Sequence, residues 1–254
     1  KRLLDLTGEK PVYLLAWTTT PWTLPGNTAL AVAEDAEYSI VEHEDGYLIM
    51  ASARLGAVGL GKANVLATVK GADLVDLRYE PLYNPNDYGV KVVIMDGDKA
   101  GEPTSNAKWR QTGNFNYPVI ATDFVSLEDG TGIVHVAPAF GEVDFEAGKR
   151  LGLDFVQPVD LQGKVTGKYS FAGKFVKNAD PLVITDLKKK GLLYKAETIR
   201  HTYPFCWRCA TPLLYYVKKS WYIKTTAVKD RLIAGNDQIN WYPEHIKHGR
   251  FGDW

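Results

Sequence analysis

The chain has 254 residues, 45% of them hydrophobic and 24% charged, values of a globular protein with room for one large core and at most one appendage. Thirty basic residues balance thirty acidic ones, which argues against a free-standing nucleic-acid binder held by a broad basic face but leaves room for a site that takes only an RNA end. No apolar run reaches transmembrane length, the start Lys1-Arg2-Leu3-Leu4-Asp5 is no signal peptide, and a single Cys-x-x-Cys makes no secreted disulfide framework, so a cytoplasmic setting is expected.

In chain order, residues 12–17 read as a buried strand that runs into Trp17-Thr18-Thr19-Thr20-Pro21-Trp22-Thr23-Leu24-Pro25-Gly26-Asn27. One pleat cannot bury so many hydroxyls, and each proline pushes the residue before it, Thr20 and Leu24, towards extended geometry. The expectation is a stiff, hydroxyl-rich lip suited to a small polar ligand or a water. Residues 28–32 read as a strand, and 38–41 pair with 47–50 across a loop carrying Asp45-Gly46. A short helix is expected over 51–60, then strands and loops to 100 with a buried run at 92–95, and a polar loop over 101–117.

Strands follow over 118–122 and 132–136, and a helix over 142–151 carries Asp144 in its first turn. Asp180-Pro181 reads as an N-cap with proline at the first helical position, opening a helix that runs to Lys190 and stops at Gly191. The triplet Lys188-Lys189-Lys190 is a solvated helix end that suits the macrodipole, with RNA contact as the alternative. A long strand is expected over 215–223, then helices over 226–234 and 244–251. The sum is a strand-rich α+β fold, a barrel-like sheet with peripheral helices.

Two constellations carry chemistry. His135 ends a strand and Asp144 lies nine residues on, past Pro138 and Gly141, so the chain can reverse and turn both side chains into one cavity. The plain alternative is a satisfied strand histidine and a helix-start carboxylate. Cys206 and Cys209 have the spacing of one corner of a structural zinc tetrahedron, but a second pair is missing and His201 is the only nearby candidate; a redox pair is the alternative. His43, His245 and His248 form no spacing that reads as a site.

The threonine motif, the segment Gly130-Thr131-Gly132-Ile133-Val134-His135-Val136-Ala137-Pro138-Ala139-Phe140-Gly141-Glu142-Val143-Asp144-Phe145 and the segment Tyr203-Pro204-Phe205-Cys206-Trp207-Arg208-Cys209 together resemble the editing (connective peptide) domain of isoleucyl-tRNA synthetases, of class I. In the sister valyl and leucyl domains the first motif looks like Thr-Thr-Arg-Pro-Glu/Asp-Thr, so Thr20 and Trp22 favour the isoleucyl branch. The resemblance implies an editing domain over 1–197 and a return segment over 198–254 that leads towards the catalytic core. The missing initiator Met, the end at Trp254 and the absence of His-x-Gly-His and Lys-Met-Ser-Lys-Ser signatures fit an excised piece without the amino-acid-activating site.

The chemistry so implied is hydrolysis of an aminoacyl ester on the 3′ end of mischarged tRNA(Ile), whose valine moiety is the group removed, or of valyl-adenylate. Such an ester needs no cofactor. It needs a carboxylate for the α-ammonium group, the role the resemblance gives Asp144. It needs hydroxyls and amides that position water and steady the oxyanion, for which Thr18, Thr19, Thr20, Thr23 and Asn27 qualify. His135 takes the place of the family residue that borders the side-chain pocket, and Trp22 and Tyr203 offer faces to the terminal adenine, with Trp22 equally a core residue. The remaining partner is the rest of the synthetase, with no membrane. Zinc at Cys206 and Cys209 would need the second cysteine pair that the family carries upstream.

Overall fold

The computed structural model describes residues 7–44, 46–90, 92–94, 110–111, 116–198, 202–218, 221 and 223–253. They form two compact units, 1–217 and 218–254, whereas the resemblance placed a division after 197.

The first unit opens with β1 (Val12–Leu14), a 3-10 helix over Pro21–Gly26, β2 (Ala29–Val32), β3 (Glu37–His43), β4 (Gly46–Ala51), β5 (Val65–Lys70) and the short α1 (Gly71–Leu74). Next come β6 (Val92–Ile94), β7 (Arg110–Gln111), β8 (Val119–Ala121), β9 (Val134–Val136), α2 (Glu142–Leu151), β10 (Asp154–Val156) and α3 (Val176–Lys189). The architecture is α+β, as expected, and its described strands divide into three small sheets, ordered β1-β4-β3-β5, β10-β6-β7 and β8-β2-β9. The expected hairpin forms, with Tyr38 opposite Ala51 and Val41 opposite Leu48. For the site the third sheet matters most. There β2 lies parallel to β8 and antiparallel to β9, placing Leu30 opposite His135. All four residues of β2 are buried, so both of its faces are covered.

Several elements differ from the sequence reading. The segment 21–26 is not extended: Thr23 N–H donates to Thr20 O at 3.0 Å and Asn27 N–H to Leu24 O at 3.0 Å. Pro21 starts this turn with its φ preset, and Pro25, near its end, removes only the one i→i+3 bond that its N–H would have made. The strand expected over 12–17 is only β1 and is half-exposed. The helix expected over 51–60 shrinks to a 3-10 turn at Ser52–Arg54. Residues 110–111 of the expected loop instead pair with β6; 95–109 and 112–115 lie outside the described residues. The helix assigned to Asp180-Pro181 starts five residues earlier at Val176, because Val176, Ala179, Val183 and Leu187 make a buried helical stripe that begins upstream of the proline. Its packing against Trp22, Phe140 and Phe171 offsets the cost of roughly 3 kcal/mol for an interior proline.

Over 215–223 the described residues form no strand. The segment is tied down by scattered bonds instead, Val217 N–H to Ala139 O at 3.1 Å and Tyr216 O–H to Val159 O at 3.0 Å. Within the second unit, a 3-10 turn (Thr225–Val228) leads into α4 (Lys229–Gln238), later than the helix expected over 226–234, and α5 is only His245–His248. Trp241 joins that unit, donating its Nε1–H to Asn236 Oδ1 at 2.7 Å and packing on Phe251 with ring centres 4.9 Å apart. Among the described residues no helix is long and apolar enough to cross a membrane.

Candidate functional site

The threonine segment leaves β1 and runs beside β9, where Trp17 N–H donates to Ile133 O at 3.3 Å. Gly130 makes this approach possible. Its φ is +59° and a Cβ there would stand 2.0 Å from the Trp17 indole nitrogen, so only glycine fits. The chain then turns so that the hydroxyls face one another. Thr20 N–H donates to Thr18 Oγ1 at 3.0 Å; Thr18 and Thr20 hydroxyls are 3.5 Å apart, and those of Thr20 and Thr23 3.4 Å. Thr19 points away and is exposed.

The chain of hydroxyls ends on His135, whose Nε2 is 3.1 Å from Thr23 Oγ1. Thr23 has one hydroxyl hydrogen, and it goes to Thr20 O at 2.8 Å. Its oxygen can therefore only accept from the ring, which places the imidazole hydrogen on Nε2 and leaves Nδ1 as a bare acceptor. That Nδ1 is buried and has no hydrogen-bond partner among the described residues. Burial pushes the His135 pKa down to about 4, so the ring is neutral at neutral pH.

Asp144 sits in the first turn of α2, a place the helix dipole favours for an acid. Its Oδ2 accepts from Ala137 N–H at 3.0 Å, which brings the carboxylate back to the backbone two residues past His135. Burial pushes its pKa up and the Ala137 N–H pulls it down. The structure thus gathers Thr18, Thr20 and Thr23 with His135, and holds Asp144 at the end of the strand that carries that histidine.

Three further candidates have other work. Asn27 is 8% exposed; its amide hydrogens go to Ala29 O at 2.8 Å and Val136 O at 3.4 Å, and its oxygen accepts from Tyr79 O–H. It braces the turn against β9 and has no N–H left to steady an oxyanion. Trp22 is 3% exposed and packs edge-on against Phe140 at 4.8 Å, so its face is closed to an adenine. Tyr203 is half-exposed; it donates its O–H to Leu213 O at 2.7 Å, and Lys177 Nζ lies 4.0 Å from its ring centre.

Asp180 and Tyr79 were missed by the sequence reading. Asp180, taken there for an N-cap, instead accepts Trp22 N–H on Oδ1 at 2.8 Å. The signal that finds it is the buried stripe beginning at Val176, which puts position 180 inside the helix. Tyr79 offers no such sequence signal.

Cys206 and Cys209 lie on an exposed knuckle closed by Cys206 N–H to Thr211 O and Ala210 N–H to Cys206 O, both 2.8 Å. The Thr211 hydroxyl, 3.2 Å from Cys209 Sγ, is first in holding that thiol below its usual range. Two thiols fit two corners of a zinc tetrahedron, but among the described residues no group of three His, Cys, Asp or Glu side chains completes one, and His201 lies outside them. A cavity of about 480 Å³ lies elsewhere, lined by Asp123, Phe124 and one face of α2 through Glu142, Glu146 and Arg150; none of the site residues lines it.

No family model matches the chain. Over nearly its whole length it is similar to isoleucine–tRNA ligases: 55% identical across 97% of the chain to that of Dehalococcoides mccartyi strain CBDB1, 45% across 95% to that of Treponema denticola, and 40% across 97% to that of Picrophilus torridus. The chain spans about a quarter of these relatives' length, 24%, 22% and 22% respectively. Among solved structures it is similar to GlLeuRS-CP1, with a TM-score of 0.54 and 17% identity over 78% of this chain and 89% of that one, a likeness of fold.

Proposed function

Since this chain belongs to the isoleucyl-tRNA synthetase family, of whose members it spans about a quarter, we propose that it is an editing hydrolase that removes valine from mischarged tRNA(Ile) by means of a positioned water. The observation that carries the reading is the hydroxyl chain Thr18–Thr20–Thr23 ending on neutral His135, with the Asp144 carboxylate held at the neighbouring Ala137 amide.

Asp144 pairs with the α-ammonium of the esterified amino acid, a charge that would be prohibitive to bury alone. The Thr18 and Thr20 hydroxyls, half-exposed, orient the attacking water and donate to the developing oxyanion. His135 is a wall rather than a strong base: with its pKa near 4 it is a weak proton acceptor, and its ring is fixed through Thr23. A rigid wall suits selection by size, because overpacking by a methylene costs about 1–3 kcal/mol in a tight pocket. A hydrolytic second site meets a known need: one methylene is worth only about 1–3 kcal/mol to a synthetic pocket, and isoleucyl-tRNA synthetase is the standing example of that limit rather than a result of this structure. The cytoplasm is its setting and the rest of the synthetase its partner. Any zinc at Cys206 and Cys209 would draw its remaining ligands from that partner.

The test is to incubate the chain with Val-tRNA(Ile) and Ile-tRNA(Ile) in parallel. Faster loss of the valyl ester is expected. Equal rates for both esters, or binding of the tRNA end without turnover, would replace the hydrolase with a docking insertion.

A further inference from the structure

We infer that Asp180, on a helix remote in sequence, is a positioning residue for the threonine site; the inference deepens the proposed editing function and rests on it. The 3-10 helix Pro21–Gly26 has no side-chain cap of its own at Thr20. In its first turn Pro21 has no N–H, and Thr23 N–H already donates to Thr20 O. Trp22 N–H is the amide left over, and Asp180 Oδ1 takes it at 2.8 Å across 158 residues of sequence. The residues to either side of that anchor are the ones that matter: Thr20 and Thr23 carry the hydroxyls, and the Thr20 carbonyl takes the Thr23 hydrogen that decides which nitrogen of His135 is protonated.

Packing alone would leave this register loose. Ala179, Val183 and Leu187 join α3 to the core around Trp22, but apolar contact has no direction, whereas one carboxylate–amide bond selects one placement of the turn. Burial pushes the Asp180 pKa up, while the Trp22 N–H and Lys177, one turn before it on α3 and over the Tyr203 ring, favour the ionised acid. Asp180 touches no substrate in this scheme; it acts through the backbone of Trp22.

The experiment compares the wild-type chain with Asp180→Ala, Asp180→Asn and Asp180→Glu by three measurements. These are amide hydrogen exchange at Trp22, the ring 15N shifts of His135, and single-turnover deacylation of Val-tRNA(Ile). In Asp180→Ala, exchange at Trp22 should rise about fivefold or more, as befits one lost charge-assisted bond. The His135 nitrogens should move towards a mixture of tautomers. The rate should fall roughly tenfold to a hundredfold with KM little changed, since a misplacement of about 1 Å can cost that much. Asp180→Asn keeps an accepting oxygen and should restore most of the rate.

Unchanged exchange and unchanged His135 shifts in a folded Asp180→Ala would overturn the inference, as would a loss confined to KM that asparagine does not rescue. If Asp180→Ala does not fold, Asp180→Glu decides: it keeps the charge but moves the acceptor by a methylene, and wild-type shifts and rate in it would refute positioning. A wild-type chain that leaves Val-tRNA(Ile) intact, while exchange and shifts still respond at position 180, would sink the editing function and uphold the anchor.

Discussion

The threonine–histidine site and the cysteine knuckle both offer polar side chains to chemistry, and they are built in opposite ways. Bonds that hold the first span 52, 109, 112 and 158 residues of sequence, through Tyr79, Asn27, His135 and Asp180. The knuckle closes on itself between Pro204 and Leu213, and its thiol contact joins residues two apart. A site drawn from distant strands exists only when the whole sheet order exists, and in return its groups are fixed, with Thr23 and His135 buried and Thr18 and Thr20 half-buried. A local turn keeps its shape cheaply, but its groups stay in water, where hydrogen bonds and charges count for little. The first region is therefore the one proposed to catalyse, and the strongest tests break it while leaving the second alone.

The largest effect is expected at Asp144. Asp144→Ala should leave the substrate ammonium without a partner, a loss of about 2–5 kcal/mol, or roughly one and a half to three and a half orders of magnitude in kcat/KM for the valyl ester. Asp144→Asn separates charge from structure. Its oxygen still accepts from the Ala137 amide, so thermal stability should stay near wild type while activity falls nearly as far as in the alanine variant. An asparagine variant as active as the wild type would show that the carboxylate only ties α2 to the Ala137 amide.

Next comes the seam on which the threonine segment lies. Gly130→Ala demands a left-handed backbone from alanine and drives a methyl group into the Trp17 ring. Strain and overlap together should cost about 2–4 kcal/mol, measured by urea unfolding. In the destabilised chain the His135 ring signals should broaden before the Cys206 and Cys209 signals change. Simultaneous change in both would show that the knuckle depends on the same long-range order.

These long spans also explain which parts were legible beforehand. The hydroxyl crowding at 18–23 and the pair His135 and Asp144 were visible as residue types, because such composition is rare at a strand end. The union of Thr23 with His135 was not, since it depends on Trp17 lying beside β9, a register no local rule supplies. The proline rule misled at Leu24 because a 3-10 turn tolerates Pro25, and it misled again at Asp180, where Asp-Pro imitates a cap. Asn27 and Trp22 were chosen for their chemistry, but their buried surroundings claim both. Residues 215–223 suit a strand by type, but the described ones pair with no strand, and strand propensity without pairing makes no ladder.

A change of pH probes the buried side of the comparison with a smaller effect. The folded pKa of His135, about 4, lies below its ordinary 6.5. Between those values the unfolded chain binds the extra proton, so stability falls as pH falls, by about 2 kcal/mol at pH 5. Asp154 has the opposite sign. Burial raises its pKa to about 6, so between pH 6 and its ordinary 3.8 the folded chain binds more protons and gains stability as pH falls. Asp144 and Asp180, also raised by burial, add to that gain, so urea unfolding at pH 7 and pH 5 reads the loss at His135 as the difference between wild type and variant. His135→Gln should remove that loss and leave the gain from Asp154. A variant as acid-sensitive as the wild type would mean that the ring is not buried neutral.

The smallest effect is expected at the knuckle itself. Cys206→Ser and Cys209→Ser change groups at or near the surface, tied mainly to Thr211 and the adjacent backbone, so the urea midpoint of each should stay at the wild-type value. Valyl-ester hydrolysis should stay within about twofold of wild type, because the bonds described for the threonine–histidine site run to β9 and α3 and not to the cysteines. Thiol labelling gives the converse reading. With its pKa lowered by Thr211, Cys209 should react faster near neutral pH than an ordinary thiol, and Thr211→Val should slow it. If a serine at 206 or 209 cut hydrolysis tenfold without unfolding the chain, the two regions would be coupled. The path to search first would then run from Tyr203 through the Lys177 cation to Asp180 and the Trp22 amide.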